Sequence, residues 1–255
     1  MDSMYRKLCS TDPAIVAEGL GEIDAALPTL EDDQIPLVVD ALTSLFYIDT
    51  FDVPDLASIV EEAQQIVAKL GPQVIPHLLE KVRNSDIKAE LALARTCGLM
   101  GEKAIDPLLD VIREKENITD MSFALYAFGK IKSPKIVKTI PHLIAAVKSP
   151  ARETEDTAVR ALGKVLESTP RDGLSAEQIQ EIVDIFMAKS HHSNEVIRSK
   201  AIRGLGKMLQ FGFLDEPEKV AVMNRLREIV GLDDPERWDS SYLVRREAQQ
   251  ILDNR

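Results

Sequence analysis

A nine-residue segment, Ala158-Val159-Arg160-Ala161-Leu162-Gly163-Lys164-Val165-Leu166, recurs with small changes along the chain. Ala124-Leu125-Tyr126-Ala127-Phe128-Gly129-Lys130-Ile131 and Ala201-Ile202-Arg203-Gly204-Leu205-Gly206-Lys207-Met208-Leu209 follow it closely. Leu93-Ala94-Arg95-Thr96-Cys97-Gly98-Leu99-Met100 is a looser copy, and Glu62-Ala63-Gln64-Gln65-Ile66 is repeated without change at Glu247-Ala248-Gln249-Gln250-Ile251. Ala158, Ala161, Leu162, Val165 and Leu166 fall at i, i+3, i+4, i+7 and i+8, which is one apolar stripe of a helix. A second motif precedes each copy: Ile35-Pro36-Leu37-Val38, Ile75-Pro76-His77-Leu78, Ile105-Asp106-Pro107-Leu108 and Ile140-Pro141-His142-Leu143. Proline fits a first helical turn, where its missing N–H would have no partner in any case. Each unit therefore reads as a helix A that starts near a proline, a turn, and a helix B that ends near a glycine or lysine. The four prolines are 40, 31 and 34 residues apart.

Two helices per period of this length predict a solenoid. One amphipathic pair cannot bury both its faces, and stacking gives each pair a neighbour. A helical glycine costs about 0.8–1.0 kcal/mol relative to alanine. Its return at one register, at Gly98, Gly129, Gly163 and Gly206, points to helices in close approach. The pattern of a proline before an apolar helix, then Val/Ile-Arg and Ala-x-x-Ala-Leu-Gly, resembles HEAT repeats. The shorter units resemble the HEAT-like class of phycobilisome lyases. Ala68 and Asp253 depart from that pattern, standing where a glycine is expected. The expected fold class is an all-α superhelix of six to seven helix pairs, with residues 1–255 forming one cooperative repeat domain. Its approximate repeats are 5–27, 34–70, 74–101, 104–131, 137–167, 176–210 and 218–253. In the sixth repeat, helix A is expected over about Gln178–Ala188 and helix B over Val196–Leu209. In the last, they are expected over Val220–Val230 and Val244–Leu252.

Of the 255 residues, 45% are hydrophobic and 29% charged, a globular composition. The formal net charge is −11. Residues 1–70 hold 3 Lys/Arg and 14 Asp/Glu, which leaves 28 of each sign for the remainder. The acidity is confined to the first quarter, and it argues against general binding to nucleic acid or anionic membranes. Two cysteines, Cys9 and Cys97, cannot form a disulfide scaffold and are expected as reduced thiols packed in helices. The start of the chain has no apolar stretch behind a basic one, and no run of about 18 apolar residues occurs. The expected location is cytoplasmic.

No catalytic constellation stands out. His77 and His142 share one repeat position and read as a surface or capping residue. His191-His192 lies in a turn, with Asp184 and Glu195 nearby, and lacks the ligand spacing of a metal site. HEAT-repeat deoxyhypusine hydroxylases hold iron with His-Glu pairs, and this chain has no His-Glu dipeptide. HEAT-like DNA alkyl-glycosylases are basic and aromatic on their concave face, unlike this acidic chain with one Trp. No phosphate-binding glycine motif or nucleophile elbow is present. Asn117-Ile118-Thr119 fits a glycosylation sequon by chance. The chain is read as non-enzymatic, with no cofactor and no metal.

The HEAT resemblance implies that B helices line a concave face. Early B helices offer Glu18, Glu22, Glu61 and Glu62, and late ones offer Arg160, Lys164, Arg198, Lys200, Arg203, Lys207, Arg245 and Arg246. These describe either a groove graded in charge, which would orient a partner, or ordinary solvated faces. Two long loops, 45–54 and 231–242, carry aromatics that either fold back or meet a partner. The candidate partner-binding residues are Glu61, Glu62, Arg160, Lys164, Arg203, Lys207, Arg245, Phe51 and Trp238. The expected function is a protein-binding scaffold or adaptor. The alternatives are an accessory factor in cofactor or chromophore attachment, as the lyase resemblance implies, and nucleic-acid binding through a C-terminal basic stripe. A protein is the expected partner; a membrane is excluded, and nucleic acid and small molecules are disfavoured.

Overall fold

A computed structural model describes residues 2–114 and 117–254. Helices account for the fold, and no strand occurs among the described residues. The chain divides into two compact units, Met1–Lys132 and Ser133–Arg255.

The first unit contains α1 (Asp2–Leu8), α2 (Pro13–Ala26), α3 (Ile35–Ser44), α4 (Ala57–Lys69), α5 (Ile75–Val82), α6 (Ile87–Met100), α7 (Ile105–Glu114) and α8 (Ile118–Phe128). They form pairs in chain order, and α2, α4, α6 and α8 pack side by side as a row of B helices. Local sequence sets the helix starts. Pro36 and Pro76 sit in the first turns of α3 and α5. The side chain of Asp86 accepts the amides of Lys88 and Ala89, and that of Asn117 accepts those of Thr119 and Asp120. Each such cap stabilises its helix by about 1 kcal/mol. Asn117 is thus a helix cap, which gives the sequon asparagine a structural role. Leu20, Leu42, Ile66, Leu78, Leu93 and Leu108 are fully buried between the two rows. Each contributes roughly 1.5–3 kcal/mol of hydrophobic stabilisation.

The second unit contains α9 (Ile140–Val147), α10 (Arg152–Val165), α11 (Ala176–Lys189), α12 (Glu195–Gln210), α13 (Glu216–Val230) and α14 (Tyr242–Asp253). The pairs are α9–α10, α11–α12 and α13–α14, with α10, α12 and α14 packed side by side. Two glycines of the expected register show why a side chain is excluded there: a Cβ on Gly206 would lie 2.6 Å from Cδ1 of Ile251, and Gly163 meets a glycine outside the register. A Cβ placed on Gly163 of α10 would lie 3.3 Å from the Cα of Gly204 on α12. The ring of Phe186, fully buried on α11, fills the space beneath both glycines.

Several expectations need correction. Helices α11 and α13 begin two and four residues earlier than apolar spacing suggests, because capping boxes fix their starts. Ser175 and Gln178 exchange side-chain and backbone hydrogen bonds at 3.0 and 3.2 Å, and Asp215 and Glu218 do so at 2.8 and 2.9 Å. Cys9 is exposed in the turn after α1 and is not packed in a helix; Cys97 is buried in α6. The 45–54 loop divides its aromatics: Phe46 is buried, Tyr47 is half exposed and Phe51 is 89% exposed. No helix among the described residues is long and apolar enough to cross a membrane.

Candidate functional site

The facing sides of α10, α12 and α14 are joined by ion pairs, most of which span about one repeat in sequence. Lys200 on α12 reaches Asp156 on α10 at 2.5 Å, and Arg203 on α12 reaches Glu247 on α14 at 2.6 Å. Lys207 pairs back to Glu167, just after α10. Arg198 forms a two-point contact with Asp239, Nε and Nη2 donating at 2.8 and 2.9 Å, while its Nη1 donates to the carbonyls of His192 and Ser193. Both of these side chains are largely buried, at 13% and 8% exposed. The other pairs are partly solvated, where an ion pair is worth about 0.2–1 kcal/mol.

Two of these pairs are clusters with more cations than carboxylates. Glu167 is shared by Lys207 and by Lys164, whose Nζ lies 2.8 Å away. Glu247 is shared by Arg203 and by Arg246 at 2.9 Å. In each cluster two cationic side chains thus share one carboxylate. The Arg203 guanidinium, helped by Arg246, holds the buried Glu247 carboxyl below its ordinary range, and Glu247 in turn raises Arg203. Beside the clusters lies an open groove of about 630 Å³, lined by Lys164, Arg203, Lys207, Gln210, Gln250 and Asn254 among others.

Of the residues the sequence singled out, this groove unites Lys164, Arg203 and Lys207. Arg245 and Trp238 form a separate patch. The Arg245 guanidinium stacks 4.1 Å from the indole centre, and its Nη1 donates to the Asp239 carbonyl at 2.5 Å. Trp238 stays half exposed. Arg160 is exposed on α10 and does not line the groove. Glu61, Glu62 and Phe51 belong to the first unit. There Glu61 helps line a small polar pocket of about 160 Å³ with Asp49, Lys88 and Arg95. The acidic end of the proposed gradient also changes character, since Glu18 and Glu22 both pair with Lys7 of α1 at 2.7 Å. The basic end is in large part neutralised across helices. Sequence reading missed Glu167, Glu247, Gln210, Gln250 and Asn254. The signal was opposite charge one repeat apart, as at 203 and 247, and not at the i, i+4 spacing within a helix.

No group of three or more His, Cys, Asp or Glu side chains among the described residues is placed to hold a metal. His192 instead accepts the Asn194 amide through Nδ1 at 3.0 Å. Burial and the nearby Arg225 push His191 below its ordinary value. Burial lifts the Cys97 thiol to about 12, which leaves it unreactive near neutrality.

No family model matches the chain, and no curated protein is significantly similar to it. Among solved structures, the CpcE–CpcF complex of phycocyanin lyase from Nostoc sp. PCC7120 matches with a TM-score of 0.54 at 19% identity, over 71% of this chain and 98% of that one. Kap95p, in a complex with RanGDP, matches with a TM-score of 0.63 at 12% identity, over 98% of this chain and 35% of its own length. The fold is that of a HEAT-like α-solenoid of helix pairs.

Proposed function

We propose that this chain is a non-catalytic protein-interaction scaffold, and that the groove beside α10, α12 and α14 is a contact surface for its partner. The observation that carries this reading is the pair of cation-rich clusters bordering an open groove whose lining mixes charged and amide groups with Leu209 and Ile251. Small-molecule sites are mostly enclosed, whereas this groove is open and sets charge and amide groups around an apolar floor of Leu209 and Ile251. A field of this kind contributes more to orientation and encounter than to raw affinity. The Arg245–Trp238 patch offers a second anchor of the type common at the centres of interfaces.

The test is capture of native partners by the tagged chain, comparing the parent with Arg203→Gln/Lys207→Gln. Neutralisation is preferable to reversal, because a glutamate at 203 would stand against the buried Glu247. Loss of a stoichiometric partner with an unchanged helical spectrum is the expected result. Equal capture by both proteins would remove this face from the reading.

A second reading, an accessory factor in chromophore or cofactor attachment, draws support from the likeness to CpcE–CpcF. Absorbance of the same eluate in the visible range decides it: a pigment bound in proportion to protein favours attachment chemistry over a bare scaffold.

A further inference from the structure

The geometry points to a more specific occupant for this groove: we infer that it takes an extended, acidic polypeptide segment with two carboxylates three or four residues apart. The inference rests on the reading of the groove as a protein-binding surface. The Lys164/Lys207 cluster lies between α10 and α12, and the Arg203/Arg246 cluster between α12 and α14. Arg203 and Lys207 are one turn apart on α12, about 6 Å along its axis. Neighbouring inter-helix furrows are displaced sideways by about one interaxial distance, roughly 8–10 Å. The two clusters are therefore separated on the diagonal by about 10–12 Å. An extended chain advances about 3.3–3.4 Å per residue, so three to four residues bridge that distance.

Two further observations favour a polypeptide. Gln210, Gln250 and Asn254 line the same groove, and among the described residues they form no side-chain hydrogen bond. Primary amides carry both donors and an acceptor, the complement of a peptide backbone. Among the described residues no aromatic side chain lines the groove; one ring, Phe211, stands at its edge 6.0 Å from the Lys207 ammonium, which is not the run of stacking platforms that holds single-stranded nucleic acid. Nor does the second unit offer a long-range positive field: residues 133–255 contain 19 Lys/Arg and 19 Asp/Glu. The attraction is confined to two points, which favours a ligand with two matching charges over a uniform polyanion.

A series of short, fluorescein-labelled Gly/Ser peptides tests this. Each carries two glutamates at a different separation, and binding to the full chain is read by fluorescence anisotropy at low and moderate salt. Affinity is expected to peak at separations of three or four residues. Lys164→Gln/Lys207→Gln and Arg203→Gln/Arg246→Gln should each weaken the best peptide roughly threefold to tenfold. Equal binding at every separation would overturn the two-point track, as would equal binding by a glutamine-for-glutamate peptide. Failure of every peptide up to millimolar concentration would overturn it as well. A short single-stranded oligonucleotide that outcompetes all the peptides would reassign the groove to nucleic acid. The partner-capture comparison separates the two readings: partners still lost from the neutralised variant leave the scaffold standing when the peptide rule fails.

Discussion

Adding one methyl group at Gly204 puts two opposing effects in competition, and the packing decides which wins. In a helix interior, alanine is favoured over glycine by about 0.8–1.0 kcal/mol. A Cβ at Gly204, however, would lie 2.5 Å from both Cε1 and Cζ of Phe186, and 2.8 Å from Cδ1. Relief requires a shift of about 1 Å in a ring with no exposed surface, and overpacking of this kind costs about 1–3 kcal/mol. With these contacts the upper part of that range applies, so Gly204→Ala is expected to destabilise by about 1–2 kcal/mol net. Gly21, within α2, provides the control, because a Cβ there meets nothing within 4 Å. Gly21→Ala should therefore stabilise by nearly the full helix term of about 0.8–1.0 kcal/mol. Calorimetry reads both, at about 2–4 °C of Tm per kcal/mol for a chain of this size. Should several transitions be resolved, the Gly204 effect belongs to the one that reports the second unit. Placing Gly204→Ala in a Phe186→Leu background should recover much of the loss, since the truncated side chain vacates the clash. A Gly204→Ala protein as stable as the parent, or a Gly21→Ala protein less stable, would refute the reasoning.

Three further outcomes are expected. Alkylation by iodoacetamide near neutral pH should modify Cys9 and spare Cys97 until the chain is unfolded, as intact-mass measurement would show. Asp239→Ala leaves the buried Arg198 guanidinium without its carboxylate and should cost about 3–5 kcal/mol. As Trp238 is the single tryptophan, its emission should shift to the red as the 231–242 loop loosens. Glu247 is held below its ordinary value in the folded chain, so its contribution to stability is complete above the unfolded glutamate pKa of about 4.3. That contribution fades as pH falls through the lower folded value. In acid titrations the parent should lose more stability than Glu247→Gln over that interval, and parallel curves would show that the carboxylate does not matter.

The architecture was legible because its determinants are local and repeated. A proline in the first turn and an apolar stripe beside small residues can be read from a few consecutive positions. Some missed boundaries were also local, since Ser175 with Gln178 and Asp215 with Glu218 are capping boxes written in the sequence. The site was less legible. Lys164, Arg203 and Lys207 stood out as basic residues of B helices, but their partners are set by how neighbouring helices align. The alignment depends on contacts such as Gly163 against Gly204, which no window of sequence contains. Exposure was equally hidden: Phe46 and Phe51 lie five residues apart in one loop, the first in the core and the second in solvent.

Helix α12 directs Lys200 and Lys207 toward the preceding repeat and Arg203 toward the following one, and finds acidic residues on both sides. Its neighbours are therefore not interchangeable with itself. If this repeat were duplicated in tandem, the two copies would set lysine and arginine against one another, with no carboxylate at the new seam. The charges thus add to the packing of α10, α12 and α14 a term that depends on their order. Lengthening such an array requires that a new repeat arrive with complementary charge, and not merely with a matching core.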